Sequence, residues 1–389
     1  MKKIAALAVA LITYGSLWPF DYVPHAASWA DVRYILFDWP AHLSIISSVS
    51  NVILFVPLGV LIPALSRRFA ARFALFCASV FFAWILQYFQ FWFPVRTPDV
   101  SAAVFNVVGL GMGLLLHSSA TAVLNRLQPV ARNFPAFWQV PTALMGCWVL
   151  YRWFPLMPSL DVQNVKNALK PLFRTPHFDW VAFLHDAVAW LVFLRLSRYS
   201  AAAKWNRHAL ALACVAIVLA EPAFEGKLLS WANVAGVLAA VAARPVFYRG
   251  KASLLALLIL QFLSLCLSEL QPFRFTAHAR FLWLPFSGMM QGSVLVDLDA
   301  LIEKTYVYGS LLFLLDYYGV RLRTAAATEG LLLFGLEWMQ QYIPGRTPET
   351  TDGVLALVLG VGMSWYLNNG KSIARERERL LSSFAPRRR

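Results

Sequence analysis

Two stretches of the chain hold the side chains best placed to do chemistry. Leu86 to Gly113 reads LQYFQFWFPVRTPDVSAAVFNVVGLGMG, and Leu336 to Met363 reads LEWMQQYIPGRTPETTDGVLALVLGVGM. The second is an imperfect copy of the first. Gln87, Gln90, Arg96, Thr97, Pro98 and Asp99 are matched by Glu337, Gln340, Arg346, Thr347, Pro348 and Glu349. Each stretch reads as the end of one apolar helix, a polar turn and the start of the next, so a duplicated helical hairpin is predicted. Gln87 and Gln90 share a helix face, and Asp99 and Asn106 share another on the following helix. The tip therefore gathers carboxamides, a guanidinium and a carboxylate. Such a cluster could hold an anionic or hydroxyl-rich headgroup, because a guanidinium engages phosphate or carboxylate through paired hydrogen bonds. It could equally be structural, with an Arg–acid pair pinning the hairpin. In that reading Thr97 is the N-cap, Pro98 the first helical residue, and Asp99 faces the positive end of the helix.

The elements that must position these groups follow from composition. The chain has 389 residues, 59% hydrophobic and 14% charged, with a mean hydropathy of +0.59. A water-soluble domain carries about 25% charged residues. An all-α polytopic membrane helical bundle is expected. The apolar windows number about twelve, given that about 20 residues are needed to cross the hydrocarbon. The net charge of +14 does not point to nucleic acid, since the basic residues form short clusters between apolar runs. Placed by the excess of Lys and Arg in cytoplasmic loops, both termini lie inside and the polar tips face outward. The start, MKKIAALAVALITYGSLWPF, lacks a convincing cleavage site and is expected to stay as the first helix. Cys77, Cys147, Cys214 and Cys266 sit in separate apolar runs and are expected to be buried thiols.

The spans group into three four-helix modules of one orientation, 1–118, 139–245 and 252–369, followed by a basic cytoplasmic tail over 370–389. Each module opens with an aromatic and proline signature: Leu17-Trp18-Pro19-Phe20, Trp153-Phe154-Pro155 and Leu270-Gln271-Pro272-Phe273. The outer stretches 157–179 and 271–302 suit re-entrant or interfacial helices, or ordinary loops. The middle module is the most worn, keeping Glu221, Glu225, Lys227 and Asn233-x-x-Gly236, which parallels Asn106-x-x-Gly109. His185-Asp186 is read as a buried pair, with a proton relay as the alternative. Gly109-x-x-x-Gly113 permits close helix approach.

The arrangement resembles the VanZ-like family, whose pattern is an Asn before an apolar Pro-Leu-Gly run, Glu-x-x-Gln, then Arg with Asp at +3 and +6, Asn at +10 and Gly at +13 and +17. The first module offers Asn51, Pro57, Gly59, Gln90, Arg96, Asp99, Asn106, Gly109 and Gly113, and departs from the pattern at Gln87 and Ala102. The third offers Glu337, Gln340, Arg346 and Asp352, with Glu349 for the first Asp, and replaces the Asn and glycines by Ala356, Leu359 and Met363. The resemblance is strong over 45–115, moderate over 320–365 and faint between. It implies an accessory role in a bacterial-type cell envelope, in the inner membrane, and the glycopeptide-resistance context of the family.

The candidate binding set is Gln87, Gln90, Arg96, Asp99, Asn106, Glu221, Glu225, Asn233, Glu337, Gln340, Arg346, Glu349 and Asp352. Its expected partners are membrane lipids and a lipid-linked envelope glycan, without cofactor or nucleic acid. Two competitors stay open: a transporter or flippase of an envelope precursor, and an intramembrane enzyme using Glu337 or Glu221 as general base. No metal-spaced cluster, phosphate-binding glycine loop or activated Ser is present in the sequence.

Overall fold

A computed structural model describes the chain except for residues 1, 18–19, 41–44, 67, 94–97, 133–138, 160, 174–177, 249, 277, 289–293 and 369–389. The fold is all-helical, as expected, and the chain divides into two compact units, 1–132 and 133–389. The first holds α1 (Lys2–Leu17), α2 (Trp29–Phe37), α3 (Ile45–Leu65), α4 (Phe69–Phe89) and α5 (Val100–Arg132). The second holds α6 (Gln139–Trp153), α7 (Val162–Phe173), α8 (Trp180–Leu196), α9 (Arg207–Leu219), α10 (Trp231–Phe247), α11 (Lys251–Leu270), α12 (Val294–Tyr318), α13 (Leu322–Gln340) and α14 (Thr351–Asn368). The stretches assigned to the second and third modules thus share one unit and one apolar core. The basic tail 370–389 lies outside the described residues.

Four helical segments among the described residues are long and apolar enough to cross a membrane: Phe69–Trp92, Val100–His117, Trp180–Tyr199 and Lys251–Leu270. Shorter apolar helices include Ala5–Leu17, Asn51–Leu65 and Thr351–Leu367. About twelve full spans are therefore not reproduced by length and hydropathy. Asp297, Asp299, Glu303 and Lys304 interrupt the apolar run of α12, as Glu329 and Glu337 do that of α13.

In the first unit α3 and α5 meet backbone to backbone. A Cβ added to Gly109 would lie 2.2 Å from the Val52 carbonyl oxygen, and one on Gly59 would lie 2.3 Å from that of Leu110. Gly113 is as tightly placed, 2.3 Å from the Val56 oxygen. The Pro-Leu-Gly run and the Gly-x-x-x-Gly stripe are thus two halves of one contact. Ile12, Phe55, Leu58, Ile62, Ala83, Leu86 and Leu110 form the core around it. Helix α2 begins at a capping box of Ser28 and Asp31. His25 lies 3.0 Å from Asp31 and its hydrogen bond holds that carboxyl below its ordinary value.

In the second unit α8 and α10 repeat the close approach at Gly236, whose added Cβ would lie 2.7 Å from Asp186 Cβ. Trp148, Trp190 and Tyr306 are fully buried beside it, with Tyr306 Oη donating to the Ala189 carbonyl at 2.7 Å. The third hairpin packs differently. With Leu359 and Met363 in place of the glycines, α14 leans on α13 at Gly353 and Gly360, where an added Cβ would lie 2.9 Å from the Gly330 oxygen and 2.3 Å from Ala326 Cβ.

The segments that follow the proline signatures bond to the hairpin tips. Val23 N donates to the Trp92 oxygen, Ser159 N to that of Ala223, and Leu282 N to that of Pro348, all within 2.8–2.9 Å. Of the stretch 157–179, residues Val162–Phe173 are helical and the α7 Leu172 oxygen accepts from Trp231 Nε1. The stretch 271–302 is not one interfacial element: its beginning lies along the third tip, whereas from Val294 onward it is already α12. The residue after each signature proline, Phe20, Leu156 and Phe273, has a φ of 66°, 61° and 61°, a left-handed conformation uncommon for non-glycine residues. The four cysteines are free, but only Cys214 is buried and Cys77 is exposed, because an apolar helix in this bundle also turns a face outward.

The glycine contacts make a sharp prediction. Gly109→Ala should destabilise the detergent-solubilised protein by about 1–3 kcal/mol, the usual cost of overpacking. Gly111→Ala, with open space around it, should be neutral or slightly stabilising in the same thermal melt.

Candidate functional site

The first hairpin is closed by its own polar residues. Gln87, 2% exposed, accepts the Asp99 N–H on its Oε1 at 3.3 Å, and Gln90 Nε2 donates to the Ser16 carbonyl at 3.0 Å. Asp99 Oδ1 accepts from Ala102 N at 2.7 Å and Ser101 Oγ at 2.5 Å. Asp99, directly before the helix, caps α5, and Pro98 lies outside it, not at its first helical position. A carboxylate one residue before a helix accepts from the free N–H groups of its first turn. Arg96 and Thr97 are outside the described residues. Asn106 is buried, and its Oδ1 has no partner among the described residues.

The third hairpin uses the same bonds at matched positions. Glu337 Oε2 accepts the Glu349 N–H at 3.0 Å. Gln340 Nε2 donates to the carbonyl of Glu269 at 3.2 Å and to its carboxylate at 2.7 Å. Ser16 and Glu269 are each the residue just before a Leu-x-Pro-Phe signature. Arg346 does not pair with Glu349, contrary to the pinned Arg–acid reading. Its Nη2 donates to the carbonyls of Ser268 (2.7 Å) and Gln271 (3.1 Å), satisfying the C-terminal end of α11. Glu349 instead accepts the Gly288 N–H at 2.8 Å. Asp352, 1% exposed, accepts from Lys304 Nζ at 2.6 Å and Tyr308 Oη at 2.7 Å.

In the middle stretch the controlling residue is Arg152, 4% exposed. It too directly precedes a proline signature. Arg152 Nε donates to Glu221 Oε1 at 2.5 Å and Nη1 to Asp186 Oδ1 at 2.8 Å, while its guanidinium carbon lies 5.5 Å from the centroid of the Trp148 ring. Its Nη2 is buried with no hydrogen-bond partner among the described residues. His185 and Asp186 do not form a pair with each other: His185 Nε2 lies 3.1 Å from Glu303 Oε1, and Asp186 serves Arg152. Lys227 pairs with Asp299 at 2.9 Å. Asn233 accepts the Ser230 N–H at 3.2 Å and its hydroxyl in a capping box that starts α10. Glu225 is exposed.

These groups surround a cavity of about 380 Å³ within residues 133–389, lined by Arg152, His185, Asn233, Glu269, Glu303 and Arg346 among others. That volume is at the small end of the about 300–1,000 Å³ typical of ligand sites and suits a headgroup. Of the candidate binding set, Asn233 and Arg346 reach the wall, and so do His185 and Asp186, which the sequence singled out separately. Glu221, Gln340 and Asp352 stand one hydrogen bond behind it, and Glu337 and Glu349 hold the third hairpin. Gln87, Gln90, Asp99 and Asn106 belong to the other unit. Arg152, Glu269, Glu303 and Lys304 were missed. Their signal was present, since an ionisable residue inside an apolar span marks a functional or paired position. Among the described residues no group of three or more His, Cys, Asp or Glu could hold a metal ion.

Comparison with known proteins places one segment. Residues 5–122 match the family model described as VanZ/LLP1, extending beyond the 45–115 stretch that carries the motif. No curated protein matches the chain, and no solved structure does.

Substitutions at two residues test the geometry. Glu337→Gln should change stability by less than about 1 kcal/mol, because Gln87 performs the same bond in the first hairpin, whereas Glu337→Leu should cost about 1–3 kcal/mol by stranding the Glu349 N–H. Arg152→Met leaves two buried carboxylates without their cation and should cost about 3–5 kcal/mol. Thermal melts of the purified protein read both.

Proposed function

We infer, from a VanZ-like domain at residues 5–122 and helices apolar enough for a membrane, that this is an envelope-related membrane protein. We propose that it has an accessory role there, recognising the headgroup of an anionic lipid, a lipid-linked glycan or a glycopeptide. The observation that carries this reading is the cavity in residues 133–389, whose wall includes a buried arginine with an N–H group to spare. Buried polar groups in an apolar bundle are costly unless paired, and a phosphate or carboxylate oxygen would complete Arg152. Asn233 and Arg346 on the same wall add further polar groups.

Three modules of one orientation, with tips facing away from the cytoplasm and both termini inside, complete the proposal. The matched Gln87/Glu337 and Gln90/Gln340 bonds support the repeat, as do the left-handed residues after each proline. The distribution of Lys and Arg supports the orientation.

Full-length protein in phosphatidylcholine nanodiscs, offered phosphatidylglycerol and phosphatidylethanolamine, should retain a phosphodiester lipid in native mass spectrometry. Arg152→Lys keeps a charge between Asp186 and Glu221 but cannot form the three-way fork, and should weaken retention about tenfold, the value of a charge-assisted hydrogen bond. Retention of neither lipid, or unchanged retention by the variant, sinks the reading.

A further inference from the structure

We propose that the cavity in residues 133–389 takes a headgroup carrying a protonated primary amine beside its phosphate. This rests on the headgroup-recognition reading above and replaces its net anionic headgroup with a zwitterionic one. The cavity wall offers one buried donor in search of an acceptor and two carboxylates that have no Lys or Arg partner among the described residues.

The donor is Arg152 Nη2. The other two guanidinium nitrogens are fixed by Glu221 and Asp186, so the fork is held rigid and its remaining N–H groups can meet a phosphate oxygen without reorganisation. The carboxylates are Glu269 and Glu303, both on the wall. Among the described residues neither makes an ion pair with Lys or Arg: Glu269 has the Gln340 carboxamide, and Glu303 has the His185 ring. The cations nearby are committed elsewhere. Arg152 serves two acids, Lys304 serves Asp352, and Arg346 serves the carbonyls that end α11.

A purely anionic headgroup would add negative charge beside Glu269 and Glu303, two wall carboxylates without a Lys or Arg partner among the described residues. A headgroup with an ammonium group reverses the sign of that interaction, because its N–H groups can donate to Glu269 or Glu303 while its phosphate accepts from Arg152. The requirement for N–H donors selects a primary amine over a quaternary one, which has none. The proposed ligand class is thus a phosphodiester amphiphile with a primary ammonium group, a zwitterion matched to a wall of mixed charge. The cavity volume of about 380 Å³ accommodates such a headgroup and leaves acyl chains outside.

The test uses the full chain in phosphatidylcholine nanodiscs, with short-chain phosphatidylethanolamine and phosphatidylglycerol of equal chain length as probes. Wild-type protein should bind phosphatidylethanolamine about tenfold more tightly than phosphatidylglycerol, the size of one charge-assisted hydrogen bond. Glu269→Gln keeps an acceptor for Gln340, and it should remove most of that preference by weakening phosphatidylethanolamine alone. Glu303→Gln is the second variant, and a lipid-free melt shows that each is folded. Equal or tighter binding of phosphatidylglycerol by wild type overturns the inference and leaves headgroup recognition standing. A preference unchanged in both folded variants overturns it as well. Binding of neither probe by wild type overturns the inference and the recognition reading together.

Discussion

The structure of residues 133–389 depends on what is done with one buried guanidinium. Arg152 ends α6, and α8 and the α9–α10 turn each supply it with a carboxylate, Asp186 and Glu221. Desolvating three charges is expensive, and the mutual attraction offsets it only when the hydrogen bonds are well formed. The three elements are therefore held in one arrangement, and Gly236 allows the backbone approach of α10 to α8 that this arrangement needs. The position has counterparts. Ser16 and Glu269 also precede a proline signature, and each accepts a glutamine from its own closing hairpin. One position thus ties the opening helix to the tip each time, with a neutral carbonyl, a guanidinium or a carboxylate doing the tying.

The way the hairpins differ is as informative as the way they agree. In the first, α3 and α5 touch through glycines, and no room is left for a side chain between them. In the third, the corresponding glycines are Leu359 and Met363, and α14 leans on α13 instead. The link between α12 and α14 is made by side chains, Lys304 and Tyr308 both bonding Asp352. Where the glycines give way to Leu359 and Met363 and Ala102 to the buried Asp352, a polar contact links α12 to α14, and it stands directly behind the cavity wall. The first hairpin has Ala102 where the third has Asp352, so the two kinds of packing do not coexist in one hairpin.

Much of this was legible in the amino-acid sequence, where it depended on residues close together or on a repeated pattern. Matching Gln87 with Glu337 and Gln90 with Gln340 anticipated bonds that turn out to be the same in both hairpins. The glycine stripe anticipated its close contact. Local detail was harder to read: Asp99 sits directly before α5 and accepts from Ala102 N, so Pro98 stands outside the helix and not at its first position. The pairings that build the cavity wall were not legible. Arg152 meets Asp186 and Glu221, and Lys304 meets Asp352, across tens of residues, and no spacing rule connects partners on different helices. The apolar spans hid these charges because a single ionisable residue barely alters the hydropathy of a long window.

The account turns on whether Arg152 completes its hydrogen bonding with a ligand. An electron cryo-microscopy map of the full chain in nanodiscs containing envelope phospholipids addresses this directly. The account predicts headgroup density in the cavity with a phosphate oxygen about 3 Å from Arg152 Nη2, an ordinary charge-assisted distance. A cavity filled only by ordered water bonded to Nη2, with every lipid headgroup outside it, would contradict the account.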